Sequence, residues 1–76
     1  MKNQHHNKYK FLGLNIAYFR KEKGLSQEKL AEKVNISRTH MSRIETADCA
    51  VSLDVVFEIC DALSLNPSKL FDFRQD

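Results

Sequence analysis

Residues 25–45, with the sequence LSQEKLAEKVNISRTHMSRIE, constrain the fold more than any other part of the chain. Ser26 can cap the start of a helix, with Glu28 in its first turn, and Ser37 can cap a second helix a few residues later. After each capping serine, apolar residues recur at helical spacing. The pattern therefore predicts two short, packed helices whose inward residues are Leu30, Ala31 and Val34 in the first and Met41 and Ile44 in the second.

The residues between and inside these helices suit a tight turn. Asn35 interrupts the apolar pattern where the turn needs a positive φ, and asparagine adopts that conformation at a lower cost than most residues. Ala31 is small where the two helices would approach each other. A pair of helices joined in this way forms a helix-turn-helix, which leaves one face of its second helix free for the major groove of DNA.

The free face of the second helix carries side chains that can read bases. Arginine can donate two hydrogen bonds to O6 and N7 of guanine, which contributes about 1–3 kcal/mol of base discrimination. Thr39 offers a methyl group to thymine or a hydroxyl to phosphate, and His40 can make either kind of contact. We predict base reading by Arg38, Thr39, His40 and Arg43, although each arginine could instead be a solvated charge or bind phosphate.

Phosphate contacts are predicted at Gln27, Ser37 and Ser42. Gln27 and Ser37 lie at the N-termini of the two helices, where free N–H groups and the helix dipole attract anions. Capping by Ser37 is compatible with this role, because a phosphate can use the donors that the cap leaves free. Ser42 lies on the exposed face of the second helix.

Charge is distributed unevenly along the chain, although the net charge is only +2. Residues 1–45 carry ten lysines and arginines and four acids, whereas residues 46–76 carry two basic and six acidic residues. A basic half that contains the two-helix motif suits a surface that faces phosphates. We expect the acidic half to face away from DNA.

Three further helices are predicted around the motif. The first runs over about residues 8–23 and ends at Gly24, with an inner stripe of Leu12, Ile16 and Phe19. The fourth follows a Ser52 cap over residues 53–63, and Pro67 begins the fifth. The predicted inward residues of the fourth helix are Leu53, Val56, Ile59, Cys60 and Leu63. The first helix also has a second apolar stripe, which either widens the core or forms a partner surface and consists of Phe11, Leu14 and Tyr18.

These observations predict an all-α fold of five helices, with a flexible N-terminus at residues 1–7 and one domain at residues 8–76. No apolar run approaches the ~20 residues that span a bilayer, and the N-terminus lacks the apolar core of a signal peptide. We therefore predict a cytoplasmic protein with no membrane partner.

Catalytic and metal-binding chemistry is not indicated. His5 and His6 have no third ligand at a suitable spacing, so no metal site is predicted. The chain has no glycine-rich phosphate loop, no paired-carboxylate pocket and no recognisable cysteine–histidine pair. We predict that the protein is not an enzyme and has neither a cofactor nor a small-molecule ligand.

The chain resembles the phage-repressor (Cro/CI, lambda-repressor-like) helix-turn-helix family over about residues 12–71. The resemblance is carried by Gln27, Leu30-Ala31, Ile36-Ser37-Arg38 and Ile44-Glu45. The run Arg38-Thr39-His40 is also similar to the controller proteins of restriction–modification systems. The resemblance implies a compact five-helix DNA-binding domain in which helices 2 and 3 form the helix-turn-helix.

The resemblance also implies a partly buried ion pair between Arg20 and Glu45, which would join the first helix to the end of the recognition helix. The chain departs from the family in the next loop, because Ala47 stands where glycine is common and Asp48 follows it. Asp48 would repel a nearby strand, so a contact between this loop and phosphate is less favoured.

The sequence thus predicts a sequence-specific transcriptional regulator that binds a (pseudo)palindromic operator on double-stranded DNA as a homodimer, with half-sites ~34 Å apart. The predicted dimer interface consists of Leu65, Leu70, Phe71 and Phe73, although Leu70 and Phe71 could instead complete the monomer core. The alternative function is an antitoxin or anti-repressor-type interaction module, in which DNA binding is secondary. The acidic half could supply its protein-binding surface, through Phe57, Leu65, Phe71 and Phe73.

Overall fold

The computed structural model describes residues 4–73, which form five α-helices and no strand. The helices are α1 (His6–Glu22), α2 (Gln27–Lys33), α3 (Arg38–Glu45), α4 (Leu53–Leu63) and α5 (Pro67–Leu70). The predicted all-α, five-helix fold is confirmed. Helix α1 begins two residues earlier than predicted, and the predicted flexible N-terminus lies partly outside the described residues.

Short polar side chains cap four of the helices, at the positions that the sequence predicts for α2, α3 and α4. Ser26 accepts a hydrogen bond from the N–H of Lys29 at 3.1 Å, and Ser37 accepts one from the N–H of His40 at 3.0 Å. Ser52 caps α4 in the same way, and Asn66 caps α5. Each cap satisfies a first-turn donor that has no partner within its own helix.

Left-handed backbone conformations follow four of the helices, the first of them at Gly24 (φ 72°) after α1. Asn35 has a φ of 58° between α2 and α3, as its position in the sequence predicts. Ala47 (φ 59°) follows α3 and Ser64 (φ 55°) follows α4, although neither residue favours this conformation. These turns bring the chain back sharply enough for consecutive helices to pack against each other.

The core lies where α1 packs against α3, α4 and α5, and where α2 packs against α3 and α4. Its fully buried side chains come from every helix: Ile16, Leu30, Met41, Val56, Ile59, Cys60, Leu63 and Leu70. Burial raises the pKa of the Cys60 thiol, and the charge of Asp61 adds to the effect. Cys60 is therefore a small protonated apolar side chain in the core.

Gly13 allows the close packing of α1 against the end of α3, a role that the spacing of apolar residues did not reveal. A Cβ atom added at Gly13 would lie 2.5 Å from the carbonyl oxygen of Glu45 and 2.6 Å from that of Ile44. Real Cβ atoms do not approach backbone atoms so closely, so any other residue would push the two helices apart.

One prediction about the core was wrong, and one open alternative is decided. Leu53 was predicted to face inward but is 60% exposed, because it lies in the first turn of α4 beside an open cleft of about 430 Å³. The second stripe of α1 does not widen the core, since Leu14 and Tyr18 are 52% and 62% exposed. Only Phe11 of that stripe is half-buried, with its ring 6.3 Å from that of Phe73.

Candidate nucleic-acid interface

Helix α3 has one buried and one exposed face. Met41 and Ile44 are buried against the rest of the domain, which fixes the orientation of the helix. At 100° per residue, the opposite side of the helix presents a continuous face formed by Arg38, Thr39, Ser42 and Arg43. Ser42 within this face is half-buried, and so is His40 at its edge. The four side chains and His40, which were predicted to contact DNA, are thus brought together on one exposed surface.

Ser37 and Gln27 lie beside this surface, each at the start of a helix. The Ser37 hydroxyl is occupied as the cap of α3. The Gln27 side-chain amide donates a 3.0 Å hydrogen bond to Oε1 of Glu45, a contact that the sequence did not predict. Because an amide nitrogen carries two protons, Gln27 retains a donor for a phosphate while Glu45 orients it.

Arg20 and Glu45 form the buried ion pair that the family resemblance implies. Nε of Arg20 lies 2.8 Å from Oε2 of Glu45, and Nη2 lies 3.1 Å from Oε1. Nη1 donates to the carbonyl oxygen of Leu25 at 2.7 Å. Both side chains are more than 90% buried, so the pair and the Gln27 amide form a closed network that ties α1 and the start of α2 to the end of α3.

A second ion pair lies on the exposed side of α3. Nε of Arg43 is 3.5 Å from Oδ2 of Asp48, and both side chains are more than half exposed. The Asp48 backbone N–H donates to the carbonyl oxygen of Arg43 at 2.8 Å, so the turn after α3 holds Asp48 beside Arg43. Asp48, which was expected only to repel DNA, thus lies next to a candidate base-reading side chain.

The structure revises the predicted dimer interface. Leu70 is completely buried where α5 packs on α1 and α4, so it belongs to the monomer core and is removed from the interface. Asn15 anchors this segment by donating to the carbonyl oxygens of Leu70 and Asp72. Phe71 is exposed, whereas Phe73 and Leu65 are half-buried.

Two exposed apolar side chains of α4 were not among the residues predicted for the dimer interface, although Phe57 was named for the surface of the alternative interaction module. Leu53 and Phe57 lie one helical turn apart and are 60% and 46% exposed, and Leu53 lines the same cleft as Phe71. We call Leu53, Phe57 and Phe71 the α4–α5 surface. Phe57 falls outside the positions that form the buried stripe of α4, so its exposure is predictable from the sequence.

Other kinds of site are not evident in the part of the chain that the structure describes. Between residues 4 and 73 no three histidine, cysteine or acidic side chains are grouped closely enough to share a metal ion. Over the same residues, no helix is long and apolar enough to cross a bilayer.

The fold and the exposed face of α3 together define a class of protein. The helix-turn-helix family model matches residues 16–70, most of the chain, and the protein belongs to this family. It is a DNA-binding transcriptional regulator of the Cro/CI type, as the sequence predicted.

Within the family, the chain is similar to controller proteins. It is 45% identical over 49 residues to Control protein C.BamHI of Bacillus amyloliquefaciens, an alignment that covers 64% of this chain and 60% of that protein. The chain thus matches less than two thirds of the length of C.BamHI. The restriction-modification controller protein C.AhdI from Aeromonas hydrophila has a similar structure, with a TM-score of 0.85 and 30% identity over 91% of this chain and all of that one. The predicted similarity to controller proteins is confirmed.

The fold also occurs in a regulator of a different kind. The clp gene regulator ClgR from Corynebacterium glutamicum has a TM-score of 0.79 and 27% identity, over 82% of this chain and 66% of that one. These relatives are transcriptional regulators rather than enzymes.

Proposed function

We propose that the protein binds a (pseudo)palindromic operator as a homodimer, with α3 of each copy in the major groove. The observation that carries this proposal is the division of α3 into a buried face and an exposed face that bears two arginines. A domain with one recognition helix reads a short half-site, so a two-fold pair is needed to reach a longer operator. Its site of action is the cytoplasm, where the DNA of a bacterial cell lies.

Arg38 and Arg43 are the principal base readers in this proposal, with Thr39 between them and His40 at the edge. Both arginines are exposed and extend from a helix that the core holds in place. Gln27, Ser37 and Ser42 flank this face and contact the phosphates, which fix the position of α3 without reading sequence.

The α4–α5 surface, together with the half-buried Leu65 and Phe73, is the proposed dimer interface. It provides three exposed apolar side chains, Leu53, Phe57 and Phe71, on elements other than the helix-turn-helix. Pairing through this surface leaves α3 of both copies free. Large apolar side chains at the centre of an interface contribute most of its affinity.

The similarity to C.BamHI and C.AhdI supports a role in controlling restriction–modification genes. Selection of binding sites from random DNA by the purified protein tests the proposed binding of a palindromic operator. We expect an inverted repeat whose half-sites are about one helical turn apart. Selection of no sequence, together with co-purification of a second protein, would instead favour the antitoxin or anti-repressor function.

The dimer interface is tested separately with Phe57→Glu. We expect the variant to fold and to become monomeric at micromolar concentration in sedimentation experiments, with weaker operator binding. Leu14→Glu is the matched control, because Leu14 is an equally exposed apolar residue on α1. If Leu14→Glu dissociated the dimer and Phe57→Glu did not, the interface would lie on α1.

A further inference from the structure

The two candidate base-reading arginines differ in their surroundings. Arg43 has a carboxylate partner, with its Nε 3.5 Å from Oδ2 of Asp48. Arg38 has no such partner, since the only other ion pair within residues 4–73 is that of Arg20 with Glu45. The exposed face of α3 thus carries one arginine with a carboxylate beside its Nε and one arginine without a carboxylate partner among the described residues.

The backbone fixes the position of Asp48. After α3 the chain enters a left-handed conformation at Ala47, which is itself buried. The Ala47 N–H donates to the carbonyl oxygen of Ile44, and the Asp48 N–H donates to that of Arg43. These two hydrogen bonds close the end of the helix, so the backbone of Asp48 has a fixed position next to Arg43.

The ion pair with Asp48 leaves the Nη1 and Nη2 groups of Arg43 available for DNA. A guanidinium has five N–H donors, and Asp48 approaches the one on Nε. The Nη1 and Nη2 groups remain for the O6 and N7 acceptors of a guanine. An ion pair at 3.5 Å between exposed groups contributes little to folding, but it strengthens when DNA excludes water from around it.

We propose that Asp48 is a positioning residue for DNA recognition, which holds Arg43 through Nε so that its two Nη groups face a guanine. This inference rests on the proposed role of Arg43 as a base reader. Asp48 contacts no base in this arrangement. Its contribution is to sequence preference, because an arginine held in place loses less side-chain entropy when it binds.

The opposite interpretation is that Asp48 only repels phosphate. In that case its removal would strengthen binding to every DNA sequence equally and would leave base preference unchanged, since phosphate contacts carry no sequence information. The two interpretations therefore differ in whether removal of Asp48 changes the sequence preference, which can be measured.

The experiment compares operator binding with binding to operators changed at single base pairs. Arg43→Ala first identifies the base pair at which Arg43 sets the preference. We expect Asp48→Asn to reduce the preference at that same pair by about three- to tenfold, and to leave the pair read by Arg38 unchanged. In the Arg43→Ala background, Asp48→Asn should have no further effect on preference.

Two further variants separate positioning from charge. Glu32→Gln removes the same charge from an exposed position on α2 and should leave the preference unchanged. Asp48→Glu retains a carboxylate and should restore part of the preference.

An undiminished preference in Asp48→Asn, with equally tighter binding to all sequences, would overturn the proposal for Asp48 alone. If Arg43→Ala changed no preference, Arg43 would not be a base reader, and the role of Asp48 would be excluded together with that of Arg43.

Discussion

The two arginine–carboxylate pairs of this protein use the same chemical groups in opposite surroundings. The Arg20–Glu45 pair is buried, bidentate and joined to Gln27, whereas the Arg43–Asp48 pair is exposed and longer. Both pairs involve the last turn of α3, where Arg43 and Glu45 point to opposite sides of the helix. Burial thus decides whether such a pair sets the architecture or remains available to a ligand.

The reason lies in the cost of desolvation. A buried charge that loses its partner is left in a medium of low dielectric, so removal of one member is strongly destabilising. An exposed charge that loses its partner is solvated by water at almost no cost. The end of α3 therefore combines a rigid attachment to α1 on one side with an adaptable arginine on the other.

The largest expected effect follows Glu45→Ala, which removes the partner of both Arg20 and Gln27. We expect the free energy of unfolding to fall by about 3–5 kcal/mol, because the Arg20 charge is left buried and unpaired. Urea denaturation followed by circular dichroism measures the loss. The double variant Arg20→Ala/Glu45→Ala should lose clearly less than the sum of the two single variants, and additive losses would show that the two residues do not act as a pair.

The next largest effect is expected from Gly13→Ala, which introduces a Cβ atom against the backbone of Glu45. The overlap should lower the free energy of unfolding by about 1–3 kcal/mol and shift α3 away from α1. Operator affinity measured where the variant is fully folded should therefore also fall.

Gly24→Ala is the control for Gly13→Ala, since a Cβ at Gly24 meets no atom within 4 Å and only the positive φ is strained. It should reduce stability but not the operator affinity of the folded protein. If Gly13→Ala and Gly24→Ala lost operator affinity equally, the close packing at Gly13 would not be what positions α3 for DNA.

On the exposed side of α3, Arg38→Ala and Arg43→Ala should each reduce base discrimination at one position of every half-site by about 1–3 kcal/mol. Their stability should change little, in contrast to Arg20→Ala. Gln27→Ala should weaken binding to all sequences and also reduce stability, because its amide binds Glu45. Competition binding with operator and scrambled DNA measures these effects, and unchanged preference in both arginine variants would refute their assignment as base readers.

The smallest effect is expected on stability when the exposed Arg43–Asp48 pair is removed. A double-variant cycle of Arg43→Ala and Asp48→Ala should yield an interaction energy of about 0–1 kcal/mol in thermal or urea unfolding, and less at high salt. An interaction energy near that of Arg20 and Glu45 would remove the distinction between the two pairs.

Much of the fold could be predicted because its signals are local. The caps at Ser26, Ser37 and Ser52 and the positive φ of Asn35 depend on a few neighbouring residues. The exposed face of α3 also followed from helical periodicity alone. The Arg20–Glu45 pair did not, since 25 residues separate its members, and only the family resemblance pointed to it.

By itself, the sequence determined the number of helices, their approximate ends and the face of α3 that can meet DNA, because capping, turn preference and periodicity act within one or two turns of the chain. Only the tertiary structure decided which apolar residues remain outside: Leu70 is buried under α1 and α4, whereas Leu53 stands beside an open cleft. It also decided the need for Gly13 and the contacts of Gln27 and Asp48. These properties depend on distances between separate helices, and periodicity within one helix contains no information about how far away the next one lies.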